Sequence, residues 1–153
     1  MLFACRDPER AVELARHQSL TTHGAPQAVE AIAGRGRGVL EPRAWEGHVA
    51  LRAIAAGEWR GKLREAIRST GYVVDTLEAA LWCVDRTASF EEALVLAVNL
   101  AGDSDTVGAV TGQLAGALYG ASAIPQRWLE PLAWRERIEQ TALALCQGEW
   151  KQG

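Results

Sequence analysis

Apolar residues along this chain recur every three to four positions, and no four-residue stretch alternates cleanly between apolar and polar. That period belongs to helices with one buried face, not to half-buried strands, so the pattern predicts a single all-α domain over 1–153, of about seven or eight helices and no sheet. Asp7-Pro8 has the form of an N-cap followed by proline at the first helical position, opening a helix to about Leu20 with Val12, Leu14 and Ala15 inward. Residues 21–26 read as a turn containing His23, and 27–33 as a short helix. Three glycines and two arginines in 34–38 read as a solvated loop, with a basic phosphate-binding loop as the other reading. Helices are predicted over 42–56, stopped by Gly57, and over 62–68. Asp75-Thr76-Leu77-Glu78 has the form of a capping box, with Val74, Leu77 and Leu81 on one face, and Ser89-Phe90-Glu91-Glu92 is a cleaner one. It opens an apolar helix to about Leu100 through Leu94, Val95 and Val98. A last helix over 133–147 places Trp134, Ile138, Ala142 and Leu145 on one stripe.

Composition narrows the class. The chain has 48% hydrophobic and 23% charged residues and a net charge of −3, so it lacks the basic footprint of a nucleic-acid surface. No apolar run approaches the ~20 residues that span a bilayer. The apolar stretch from Met1 ends at Arg6-Asp7, too early for a secretory signal. Cys5, Cys83 and Cys146 are odd in number and far apart, as reduced, mostly buried thiols of a cytoplasmic protein would be.

The candidate chemistry lies in 99–120. Asp103, Asp105 and Thr106 crowd three oxygen-bearing side chains into four positions, between the apolar helix and a second one. Hard oxygen donors at that spacing suit Mg²⁺ or Mn²⁺. The competing reading is that Asp103 or Asp105 caps the second helix. That helix carries glycine at 108, 112, 116 and 120, one face of a helix. Each interior glycine costs roughly 1 kcal/mol relative to alanine, so the stripe calls for close approach by another backbone or a ligand. Other Asp-x-Asp chemistries fit poorly. Haloacid-dehalogenase-type phosphatases place threonine two positions beyond the second aspartate, after a buried strand, and glycosyltransferases use the motif in α/β folds.

Three segments together resemble the ADP-ribosylglycohydrolases, particularly the dinitrogenase-reductase-activating type. They are 102–106 with the small-residue helix to Gly120, the run 71–82 (GYVVDTLEAALW), and Asp7-Pro8-Glu9 with 11–15 leading into Thr22-His23-Gly24. The resemblance covers the C-terminal half of that family. It implies an all-α fold with a binuclear Mg²⁺ (or Mn²⁺) centre that hydrolyses the glycosidic bond between ADP-ribose and a protein side chain, or a related conjugate. Asp103 and Asp105 match catalytic metal ligands and Thr106 a further ligand. His23, Gly71, Tyr72, Gly102 and Ser104 match substrate-binding positions.

The family's other ligands come from a Ser/Thr-Asp-Asp run in its N-terminal half, and this chain has no Asp-Asp pair. At most a half-site is therefore expected here. Two expectations follow. One is a hydrolase half that works when joined to a complementing N-terminal half. The other is a truncated, non-catalytic helical module for interaction or self-association, whose six tryptophans would leave apolar surface uncovered.

Overall fold

The computed structural model describes residues 49–147, with side chains to residue 144. The predicted helices over 8–20 and 27–33, the turn at His23, the loop 34–38, Cys5, Trp45, Trp150 and the side chain of Cys146 lie outside the described residues. Contacts group the chain into two compact units, 42–126 and 1–41 with 127–153. Among the described residues there are α-helices and two 3₁₀ turns, and no strand.

In the first unit α1 spans Val49–Ala55 and buries Leu51, Ile54 and Ala55. It stops where predicted: Gly57 takes φ +77°, which ends the helix without a Cβ penalty. The helix expected over 62–68 is a single 3₁₀ turn, Arg64–Ala66. The reason is competition for a carbonyl. Trp82 Nε1 (3.0 Å) and Arg86 NH2 (2.9 Å) both donate to Lys62 O, which a helix would need for residue 66. Lys62 Nζ also pairs with Glu78 at 2.6 Å, so the segment is strapped along a neighbouring helix.

That neighbour is α2, Val73–Asp85. Its N-cap is Tyr72, without a side-chain cap bond, so the capping box expected at Asp75 does not form. Asp75 falls inside the first turn, where its carboxylate serves a loop (below). Val74 and Leu77 are buried as expected, along with Thr76, Ala79, Ala80, Trp82 and Cys83, while Leu81 is half-buried. So broad a buried face makes α2 the centre of the unit. Burial also pushes the Cys83 thiol up to about 11, keeping it protonated and inert near neutral pH.

Helix α3, Phe90–Val98, begins as predicted: Ser89 Oγ accepts from Glu92 N–H at 3.2 Å, and Glu92 Oε2 accepts from Ala88 N–H at 2.9 Å. It buries Phe90, Ala93 and Ala97. Helix α4, Ser104–Tyr119, buries Val107, Thr111 and Ala115, one residue every four. It packs on both α2 and α3.

The glycine stripe of α4 faces α3. A Cβ built on Gly108 would stand 3.3 Å from Val98 Cγ1, on Gly112 3.7 Å from Leu94 Cδ1, and on Gly116 3.9 Å from Phe90 Cε2. Each step of four along α4 meets a residue four back along α3, so the helices run antiparallel in register. The stripe therefore seats α3 side chains: of the expected causes, close packing against a neighbouring helix is the one that holds, and the stripe is no sign of a ligand site. Gly120, at φ +79°, ends α4.

Helix α5, Gln126–Leu129, starts at the last residue of the first unit, and α6, Arg135–Gln147, belongs to the second. Trp134 precedes α6 in the left-handed region (φ +59°) and is exposed, as are Ile138 and Ala142. The predicted stripe is thus exposed at its three described positions, while Leu145 lies outside the described side chains. No helix among the described residues is long and apolar enough to cross a membrane.

Candidate functional site

Helix α3 ends in a tight reversal. Ala101 N–H still bonds to Val98 O, and Ala101 and Gly102 then take φ +63° and +67°, two consecutive left-handed residues. Leu100 is buried as the plug of this turn, and Arg64 NH2 donates to its carbonyl at 2.7 Å. The reversal lets Asp103 N–H reach across to Ser69 O at 3.0 Å. Glycine is required at 102 twice over: a Cβ there would lie 2.1 Å from Ser69 O, and the φ is left-handed.

The opposite wall is Ser69-Thr70-Gly71. A Cβ on Gly71 would stand 2.6 Å from Asp103 Oδ2, so the missing side chain makes room for that carboxylate. Thr70 is bonded on two sides: its hydroxyl donates to Asp75 Oδ2 at 2.7 Å and accepts from Tyr72 N–H at 3.2 Å. Thr76 Oγ1 donates to Thr70 O at 2.8 Å. Ser69 Oγ is buried beside these groups with no hydrogen-bond partner.

Asp103 occupies the N-cap position of α4, and its backbone carbonyl accepts the helix bond from Val107 N–H at 3.1 Å. Its carboxylate makes no cap bond. Asp105 Oδ1 accepts from the adjacent Thr106 N–H at 2.8 Å. The Asp103 carboxyl, within hydrogen-bonding reach, is the first cause that holds Asp105 below the usual carboxylate range, and the Thr106 N–H is the second. Asp105 therefore stays ionised at neutral pH and is lost as an anion only in acid. Capping thus explains part of Asp105 and none of the Asp103 carboxylate.

The structure brings together Gly71, Gly102, Asp103, Ser104, Asp105 and Thr106, with Tyr72 at the edge, 46% exposed. His23 lies outside the described residues. Two adjacent carboxylates and a hydroxyl are hard oxygen donors, and Mg²⁺ is commonly held by one or two carboxylates with water completing the shell. The donor chemistry fits such an ion as a partial site. Among the described residues no group of three His, Cys, Asp or Glu converges on one point. Sequence reasoning missed Arg64, Ser69, Thr70 and the loop-facing role of Asp75. The available signal was the Ser69-Thr70 hydroxyl pair directly before Gly71.

The sequence matches the ADP-ribosylglycohydrolase family model over residues 1–153. It is 41% identical over 153 residues to the ADP-ribosylarginine hydrolase Tri1 of Serratia proteamaculans, covering 92% of this chain and 42% of that protein. It is 45% identical over 65 residues to the ADP-ribosyl-[dinitrogen reductase] glycohydrolase of Rhodospirillum rubrum, covering 42% of this chain and 22% of that one. A solved structure described as an ADP-ribosylglycohydrolase-related protein complex superposes with a TM-score of 0.78 at 45% identity, over 91% of this chain and 53% of that one. The chain thus spans about half the length, or less, of the relatives it matches.

Proposed function

The chain belongs to the ADP-ribosylglycohydrolase family, and from that premise we propose that it carries the Asp103–Asp105–Thr106 part of a Mg²⁺ or Mn²⁺ centre for hydrolysing an ADP-ribose conjugate. The observation that carries this reading is the Asp103 carboxylate. It stands at a helix N-cap yet caps nothing, lies against a Gly71 that leaves it room, and is two residues from the second carboxylate, Asp105.

Asp103, Asp105 and the Thr106 hydroxyl would hold the cation, with ligands from a complementing N-terminal half completing a binuclear site. When bound, such ions orient ribose hydroxyls and water about the anomeric carbon and stabilise developing charge. The chain's own residues do the positioning. The left-handed pair Ala101-Gly102 aims Asp103, Gly71 clears its approach, and exposed Tyr72 offers an apolar face at the rim. His23, Gly102 and Ser104 are assigned to substrate contact. The Serratia relative's name points to an ADP-ribosylated arginine as the conjugate cleaved by the joined protein. The buried, free Cys83 is in keeping with a cytoplasmic location.

Calorimetric titration of the chain with Mg²⁺ and Mn²⁺, then ADP-ribose, repeated on Asp105→Asn, tests this. Binding that the substitution removes supports the half-site, and Mg²⁺-dependent hydrolysis on adding an N-terminal half would complete it. No binding to a folded sample sinks it, and the non-catalytic interaction module takes its place.

A further inference from the structure

We propose that Thr70 and Asp75 are positioning residues for the Asp103–Asp105 carboxylate pair, with Asp75 acting through Thr70. The inference rests on the metal-site reading above and goes beyond it, because neither residue faces the carboxylates as a ligand.

Three consecutive residues make the contacts. Ser69 O takes the Asp103 N–H, and Gly71 lies against Asp103 Oδ2. Thr70, between them, is held at both ends by the first turn of α2. Its hydroxyl donates to Asp75 Oδ2 at 2.7 Å, and its carbonyl accepts from Thr76 Oγ1 at 2.8 Å. Thr76 is 4% exposed and the Asp75 side chain 13%, so the anchor sits in packed structure. A hydroxyl that donates to a carboxylate has its lone pairs free, and the Thr70 oxygen uses one for Tyr72 N–H. One side chain thereby sets the loop on both sides of Gly71. Arg68 Nε also pairs with Asp75 at 3.4 Å, but with the Arg68 side chain 72% exposed this pair contributes little. The bond that transmits position is Asp75 to Thr70.

The test compares Thr70→Val and Asp75→Ala, which remove the bond, with Thr70→Ser and Asp75→Asn, which keep an oxygen in place. The probe is Mn²⁺ alone, titrated into the full chain. The first two are expected to weaken Mn²⁺ binding about tenfold or more, and the second two to stay within about threefold, as for outer partners of metal ligands. Amide exchange gives a second readout. The Asp103 N–H should exchange about fivefold faster in Thr70→Val, while the Ala93 and Ala97 amides in α3 keep their rates. Wild-type Mn²⁺ affinity in Thr70→Val overturns the proposal, and so does equal damage from Thr70→Ser. Should Thr70→Val not fold, Asp75→Ala carries the same measurements. If the unsubstituted chain binds no Mn²⁺, the metal-site reading is what has failed. Asp103 exchange then decides positioning by itself: faster exchange upholds it, and an unchanged rate overturns it.

Discussion

Two sets of glycines in the first unit differ in their pattern along the chain and do opposite work. Gly108, Gly112 and Gly116 form a regular stripe on α4, yet an added Cβ would meet only α3 side chains at 3.3–3.9 Å. Gly71 and Gly102 follow no period, yet an added Cβ would strike Asp103 Oδ2 at 2.6 Å and Ser69 O at 2.1 Å. The regular set serves packing, with ordinary contact distance at Gly112 and Gly116 and a tighter fit at Gly108. The irregular set holds two loops together where the carboxylates sit. Periodicity therefore pointed at the helix interface, while the site depends on glycines that only a three-dimensional neighbour explains.

The contrast can be broken most sharply at Gly102. Gly102→Ala combines a left-handed φ with overlap against a backbone carbonyl that cannot rotate away, so it should cost about 2–4 kcal/mol in a denaturant melt. A loss under about 1 kcal/mol would mean the turn is softer than its geometry implies. Gly71→Ala comes next and acts differently. Its clash is with a side chain that can turn, so stability should hold, while displaced Asp103 should weaken Mn²⁺ binding about tenfold. Unchanged Mn²⁺ affinity would separate Gly71 from the site.

On the stripe the sign should reverse. Gly112→Ala and Gly116→Ala each place a Cβ at ordinary contact distance and should raise stability by about 0.5–1 kcal/mol through helix propensity. Gly108→Ala, tighter at 3.3 Å against half-exposed Val98, should come out near neutral. Destabilisation by all three would show that α3 and α4 pack too closely to admit a Cβ along the stripe. A small gain is expected at Ala101, a non-glycine at φ +63°. Ala101→Gly relieves the left-handed penalty but frees the unfolded chain, for a net gain of about 0.5 kcal/mol. Thermal melting at fixed Mn²⁺ would read it.

Much of the fold was legible along the chain because its cues are local. The 3.6-residue period of α2, the Ser89–Glu92 capping box and the Gly57 stop each depend on residues close along the chain, and all three appear as expected, whereas the stripe predicted on α6 is exposed at its described positions. The motif 102–106 with Gly71-Tyr72 was legible for the same reason, as a short run of distinctive residue types. Three features required the tertiary structure. The segment 62–68 is no helix because Trp82 and Arg86, some twenty positions on, claim the Lys62 carbonyl. Asp75 is no cap because Thr70, held against the turn before α4, offers it a hydroxyl. The stripe on α4 marks packing because α3 folds back antiparallel and fills it. At Lys62 the carbonyl had two possible partners, and the fold brought remote donors closer than the one four positions on. At Asp75 the helix starts earlier than the local pattern indicates, and at the stripe the filling side chains belong to a neighbouring helix.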